Sequence, residues 1–119
     1  MSRLILNQGA FVWARELISS KQIMHEAIDW EKLRADDKSK KEFMKTSGAL
    51  SYSLWFLGKD PEKDANDLSA YDLPLGDFSF IYTGALGAIK DYANDHQLYQ
   101  IQLAASKLLE VAGMRDFSK

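Results

Sequence analysis

The pentad His25-Glu26-Ala27-Ile28-Asp29 is the stretch of this chain that comes nearest to a metal-binding pattern. On a helix, an imidazole and a carboxylate four residues apart share one side and can reach a single ion. His96 is the only other imidazole available as a third ligand. The zinc-protease helix carries a second histidine where this chain has Asp29. A solvated helix face bearing a His–Asp pair accounts for the spacing without a metal. The tract from Asp60 to Asp77 holds six acids and one lysine. A calcium loop needs alternating acids followed by a glycine, and here Ala65 stands at the glycine position after Asp60, Glu62 and Asp64. Nucleophilic catalysis needs a base beside the nucleophile, and two histidines are the only imidazoles. Gly84-Ala85-Leu86-Gly87 falls within a helical pattern, which reads as close helix packing rather than as a phosphate-binding loop. No catalytic, metal or cofactor-binding residue is therefore assigned, and the chain reads as a non-enzyme. A helical metal protein or enzyme built on His25, Asp29 and His96 is the alternative from another class.

Charge distribution says more. From Lys32 to Lys45 stand six bases (Lys32, Arg34, Lys38, Lys40, Lys41, Lys45) against three acids, whereas the tract from Asp60 to Asp77 is strongly acidic. Several bases on one turn sum their fields. Arg34, Lys38, Lys40, Lys41 and Lys45 are thus candidates for contact with nucleic-acid phosphates or an acidic protein. The net charge of −2 argues against coating of nucleic acid by the whole surface. Three Trp, five Tyr and six Phe exceed what a helical core of this size comfortably hides. Trp13, Trp30, Tyr71 and Tyr99 are candidate exposed anchors for a protein partner, because Trp and Tyr are enriched at interfaces.

The elements that would position these residues read as helices throughout. A chain of 119 residues fits one domain with its own core. No cysteine is present, which suits the cytoplasm, and no apolar run approaches a membrane span. The apolar spacing predicts a first helix from Asn7 or Gln8 to about Ser20 and a second from Lys21 to about Arg34. Asp36 or Ser39 caps a central helix whose most apolar part is Phe43 to Gly58, with Leu50 on its core face. Asp60-Pro61 starts a short fourth helix, and Ala70 to Gly76 is a loop. Asp77 caps a fifth helix, and a sixth ends at Gly113 before a flexible tail from about Met114. The expected fold is all-α, one domain of five to six helices.

The segment Thr46-Ser47-Gly48-Ala49-Leu50-Ser51-Tyr52-Ser53-Leu54-Trp55-Phe56-Leu57-Gly58-Lys59 resembles part of the small helical subunits of type III CRISPR effector complexes. That resemblance implies a non-enzymatic helical bundle that stacks with copies of itself beside the guide–target duplex, using basic residues. Together these readings point to an interaction subunit of a larger assembly, with a protein partner, self-association and contact with RNA or an RNA–DNA duplex through residues 32–45 as expected partnerships. An immunity, inhibitor or phage-type protein that blocks an enzyme through its acidic segment is the alternative.

Overall fold

The computed structural model describes residues 4–113. The expected tail from about Met114 lies outside them. In chain order the elements are β1 (Ile5–Leu6), α1 (Gln8–Ser19), β2 (Ile23–Met24), α2 (Trp30–Ala35), α3 (Asp37–Ser53), β3 (Phe56–Lys59), a 3-10 turn (Leu68–Ala70), β4 (Tyr71–Pro74), β5 (Ile81–Tyr82), α4 (Thr83–Asp95) and α5 (Tyr99–Val111). The fold is mixed α/β, and the all-α helical bundle expected from the sequence is corrected. One sheet has the order β1-β3-β4 with antiparallel pairs, and a second pairs β2 with β5 in parallel.

Three helices follow the apolar spacing closely. Ala10, Ala14 and Ile18 of α1, Ala85, Ile89 and Ala93 of α4, and Ile101, Ala105 and Leu108 of α5 are buried at intervals of three and four residues. α4 packs along α5, and α1 packs against α5 and β3. The small residues let these helices approach the sheet closely.

The expected second helix is replaced by a turn, β2 and the short α2. Lys21 adopts a left-handed φ of 66°. Its N–H donates to the Ile18 carbonyl at 3.0 Å and the Gln22 N–H to that of Leu17 at 2.9 Å. These two bonds satisfy the last carbonyls of α1 and turn the chain away from it. Glycine usually fills that position, so a lysine there gives no stop signal. Gln97 ends α4 in the same way at φ 59°, with the Leu98 N–H donating to the Ala93 carbonyl at 2.8 Å.

The central helix from Phe43 to Gly58 is also corrected. Gly48 sits at φ 89° and ψ 164°, a region open essentially to glycine alone, and splits α3. Leu50, expected in the core, is 77% exposed. Past Ser53 the chain becomes β3, where Phe56 and Leu57 are both fully buried. A strand covered on both faces reads as an unbroken apolar run, which periodicity does not separate from a buried helix. Asn7 fixes the change of direction. Its side-chain amide donates to the carbonyls of Ser53 at 2.9 Å and Phe56 at 3.0 Å, and its N–H to Leu57 at 2.8 Å.

The expected fourth helix is a chain of aspartate turns. Asp60, Asp64 and Asp67 each accept from the backbone N–H two residues on, at 3.0, 2.8 and 2.9 Å. The expected loop from Ala70 to Gly76 contains β4. Asp77 accepts from the N–H groups of Ser79 and Phe80, both at 3.0 Å, which is the bonding of a helix cap. The chain instead returns into β5, and the helix begins only at Thr83. Gly76 lies under this return. A Cβ there would stand 1.8 Å from the Phe80 carbonyl oxygen.

Two substitutions test these backbone assignments by denaturant unfolding. Lys21→Gly removes the left-handed penalty of a Cβ and should raise stability by roughly 0.5–1 kcal/mol. Gly76→Ala must displace a backbone carbonyl and should cost about 3 kcal/mol or more. A neutral result at either site contradicts the corresponding turn.

Candidate functional site

The residues first considered for metal chemistry do not converge. His25 to Asp29 lies in irregular chain after β2 rather than on a helix, so the shared helix face is corrected. Asp29 is the N-cap of α2 and accepts from the Lys32 N–H at 3.1 Å. His96 ends α4, stacked on Tyr92 with ring centroids 3.9 Å apart. Among the described residues no group of three His, Cys, Asp or Glu side chains could hold a metal ion.

The basic and acidic tracts, read separately in the sequence, meet at a cleft of about 490 Å3, to which the first contributes Arg34, Asp37, Lys40 and Lys41 and the second Asp60, Lys63, Asp67 and Asp72. Arg34 grips Asp72 through two parallel bonds, Nε to Oδ1 and Nη2 to Oδ2, both at 2.9 Å. Its guanidinium also lies over the rings of Tyr92 and Trp30, at 4.5 and 5.3 Å. Lys40 turns inward to donate to the Arg34 carbonyl and stands 3.6 Å from Asp37. Burial pushes the Asp72 carboxyl up, but the hydrogen bonds from Arg34 and the Leu73 N–H, with the Arg34 charge, hold it below its usual value. The bond to Asp72 raises Arg34 in turn. Of the predicted basic residues, Arg34 and Lys40 are therefore engaged within the molecule. Lys38, Lys41 and Lys45 remain exposed on α3.

The four aromatic candidates separate in the same way. Trp30 is buried and donates its indole N–H to the Pro74 carbonyl at 2.9 Å. Tyr71 is half-buried and donates its hydroxyl to the Ala65 carbonyl at 2.9 Å. Tyr99 is 65% exposed on α5, four residues from Leu103, which is 69% exposed. Trp13 alone of the four lines an open groove of about 560 Å3.

That groove is assembled from separated pieces of chain. α1 supplies Trp13 and Leu17, α3 supplies Phe43, Ser47 and Ser51, and Leu54 and Trp55 come from the turn before β3. Gln22 and the turn from Phe78 to Phe80 complete it. The Trp13 and Trp55 rings meet edge to face at 4.7 Å, and Phe43 stacks on Phe78 at 4.4 Å with planes 10° apart. Phe78 holds a left-handed φ of 68°, rare for a bulky residue, and also contacts Tyr52, Trp55 and Phe56. No ionisable side chain is among the groove's lining residues. The sequence marks only Trp13 of these lining residues as a candidate contact; Phe78 is expected in a helix, and Gln22 and Phe80 carry no site signal. The available signal was the succession Pro74-Leu75-Gly76-Asp77, whose types fit a turn as well as a helix start.

Comparison with protein-family models, with curated proteins and with solved structures returned no match to this chain.

The Arg34–Asp72 pair yields a pH prediction. A carboxyl held below its unfolded value near ~3.9 stabilises the fold above that pH, and the contribution is lost as pH falls through the folded value. Asp72→Asn should cost about 2 kcal/mol at pH 7, between the ranges for exposed and buried pairs. The difference from the unaltered protein should shrink below pH 4. Urea unfolding at pH 7 and pH 3 checks this, and an equal gap at both contradicts it.

Proposed function

We propose that this chain is a non-catalytic protein–protein interaction module of a larger assembly, and that its partner docks an uncharged apolar segment into the groove between α1, α3 and the Phe78–Phe80 turn. The observation that carries the proposal is the groove's neutrality. In a chain with 27% charged residues, an open aromatic surface with no ionisable lining residue matches the charge-depleted core of an interface. Its aromatic walls with a few hydroxyl and amide groups are also the usual chemistry of a binding cleft.

The two charged tracts support the competing readings less well. Asp60, Asp64 and Asp67 are used as turn acceptors and Asp72 by Arg34, which weakens an inhibitor acting through the acidic tract. Contact with RNA would fall to Lys38, Lys41 and Lys45 once Arg34 and Lys40 are engaged. The proposal does not extend to the CRISPR subunit, because the all-helical bundle which that resemblance implies is not this fold.

Binding of the host partner to immobilised protein tests the proposal when compared across surface variants. Phe80→Asp places a charge on the groove and should weaken retention by at least about 30-fold, since an unpaired charge is desolvated on docking. Leu103→Asp on α5 should leave retention unchanged. Loss with Leu103→Asp, or with Lys38, Lys41 and Lys45 changed to Glu, and retention with Phe80→Asp would overturn it.

A further inference from the structure

The groove holds hydrogen-bond donors that the protein itself does not use. Neither the Trp13 nor the Trp55 indole N–H donates to another described residue, whereas the third indole, Trp30, has its acceptor in Pro74. Trp55 is only 4% exposed, yet no fully buried side-chain nitrogen among the described residues lacks a partner. Its N–H therefore keeps some contact with solvent, and Trp55 is one of the residues that line the groove. The Gln22 amide and the hydroxyls of Ser47, Ser51 and Ser79 likewise have no acceptor among the described residues. Donors, aromatic surfaces and the absence of charge thus occur together in one place.

We infer that the groove takes a proline-rich partner segment in the extended left-handed polyproline conformation; this rests on the docking role proposed above. Proline has a carbonyl acceptor and no N–H, so such a segment presents acceptors in excess. Its backbone makes no internal hydrogen bonds, and its carbonyls are open to the indole donors. The flat, apolar prolyl rings match aromatic walls, and the conformation exists before binding, which lowers the entropy cost. The alternatives fit less well. An amphipathic helix satisfies its own carbonyls and would leave both indoles without acceptors. Strand addition needs an open sheet edge, and all the lining residues lie on α1, α3 or turns, none on a strand. A charged or phosphorylated segment would find no countercharge.

Selection from a random twelve-residue peptide library displayed on phage, against the full chain, tests this without presuming a sequence. The expected result is enrichment of uncharged peptides with two or more prolines. Synthetic copies should shift the Trp13 and Trp55 indole N–H resonances. Trp13→Phe, which keeps a ring and removes the donor, should weaken binding about three- to tenfold. Phe80→Ala, at a side chain 37% exposed, should weaken it by a similar factor and keeps the test independent of whether Trp13→Phe folds. Enrichment of uncharged helical peptides whose binding Phe80→Ala abolishes would overturn the polyproline inference and leave the docking role standing, whereas enrichment of charged peptides would overturn both. No enrichment, or binding insensitive to both variants, would overturn both.

Discussion

The left-handed backbone at Phe78 is the constraint on which the upper part of this structure depends. Holding a bulky L-residue at φ 68° costs roughly 1–2 kcal/mol. Ring contacts to Phe43, Tyr52, Trp55 and Phe56 offset it, since an aromatic pair contributes about 0.5–1.5 kcal/mol beyond its buried area. The strain has a positional result. It turns the Phe78 ring into the cluster while Ser79 and Phe80 stay exposed at the groove. It also anchors α3. Between Asp37 and Ser47 that helix is mostly exposed, and Phe43 on Phe78 is one of its few attachments to the body. The break at Gly48 separates this arm from the segment that leads into β3.

A second constraint joins the lower part. The Arg34–Asp72 pair ties α2 to β4, and the stack of Arg34 on Tyr92 extends the tie to α4. Charges that look like two outward-facing poles in the sequence are partly spent: Arg34 on Asp72, Lys40 within its own tract, and Asp60, Asp64, Asp67 and Asp77 on local turns. This changes what the charge pattern means for function. A tract with a net positive count offers a partner only the bases that the fold leaves exposed, and here the fold withdraws Arg34 and Lys40.

How much of this was legible follows from whether a local signal has one structural use or two. The spacing of Ala10, Ala14 and Ile18, or of Ile101, Ala105 and Leu108, has one use, so α1 and the bodies of α4 and α5 are read from sequence, although α4 starts at Thr83 rather than after Asp77 and α5 at Tyr99 rather than after Asp95. An aspartate that accepts from N–H groups two or three residues on has two uses. At Asp36 the side chain accepts from Ser39 and α3 follows, whereas at Asp77 the same bonding closes a turn. The run Trp55-Phe56-Leu57 suits a buried helix and a covered strand equally. Lys21 and Gln97 occupy positions that glycine would have announced. Trp13, expected outside the core, is half-buried and packs against it. The groove around it was not legible, because it forms only when α1, α3 and two turns meet.

The same over-determination that hid the groove from the sequence suits the docking role proposed for it. Its Phe78–Phe80 side is fixed at several points. Gly76 leaves no room beneath the Phe80 carbonyl, Asp77 accepts two backbone N–H groups, and the Tyr82 hydroxyl donates to the other Asp77 oxygen at 3.1 Å. A strained residue persists where its surroundings determine it this fully. That wall is already ordered before a partner arrives, so docking there forfeits little chain entropy. Phe43 and Ser47 of the groove belong to the arm before Gly48, which is mostly exposed and leans on that wall through the stack of Phe43 on Phe78. On the docking role proposed above, the fixed turn would present the aromatic surface, and any adjustment of the groove to its occupant would come from the arm before Gly48 rather than from the turn.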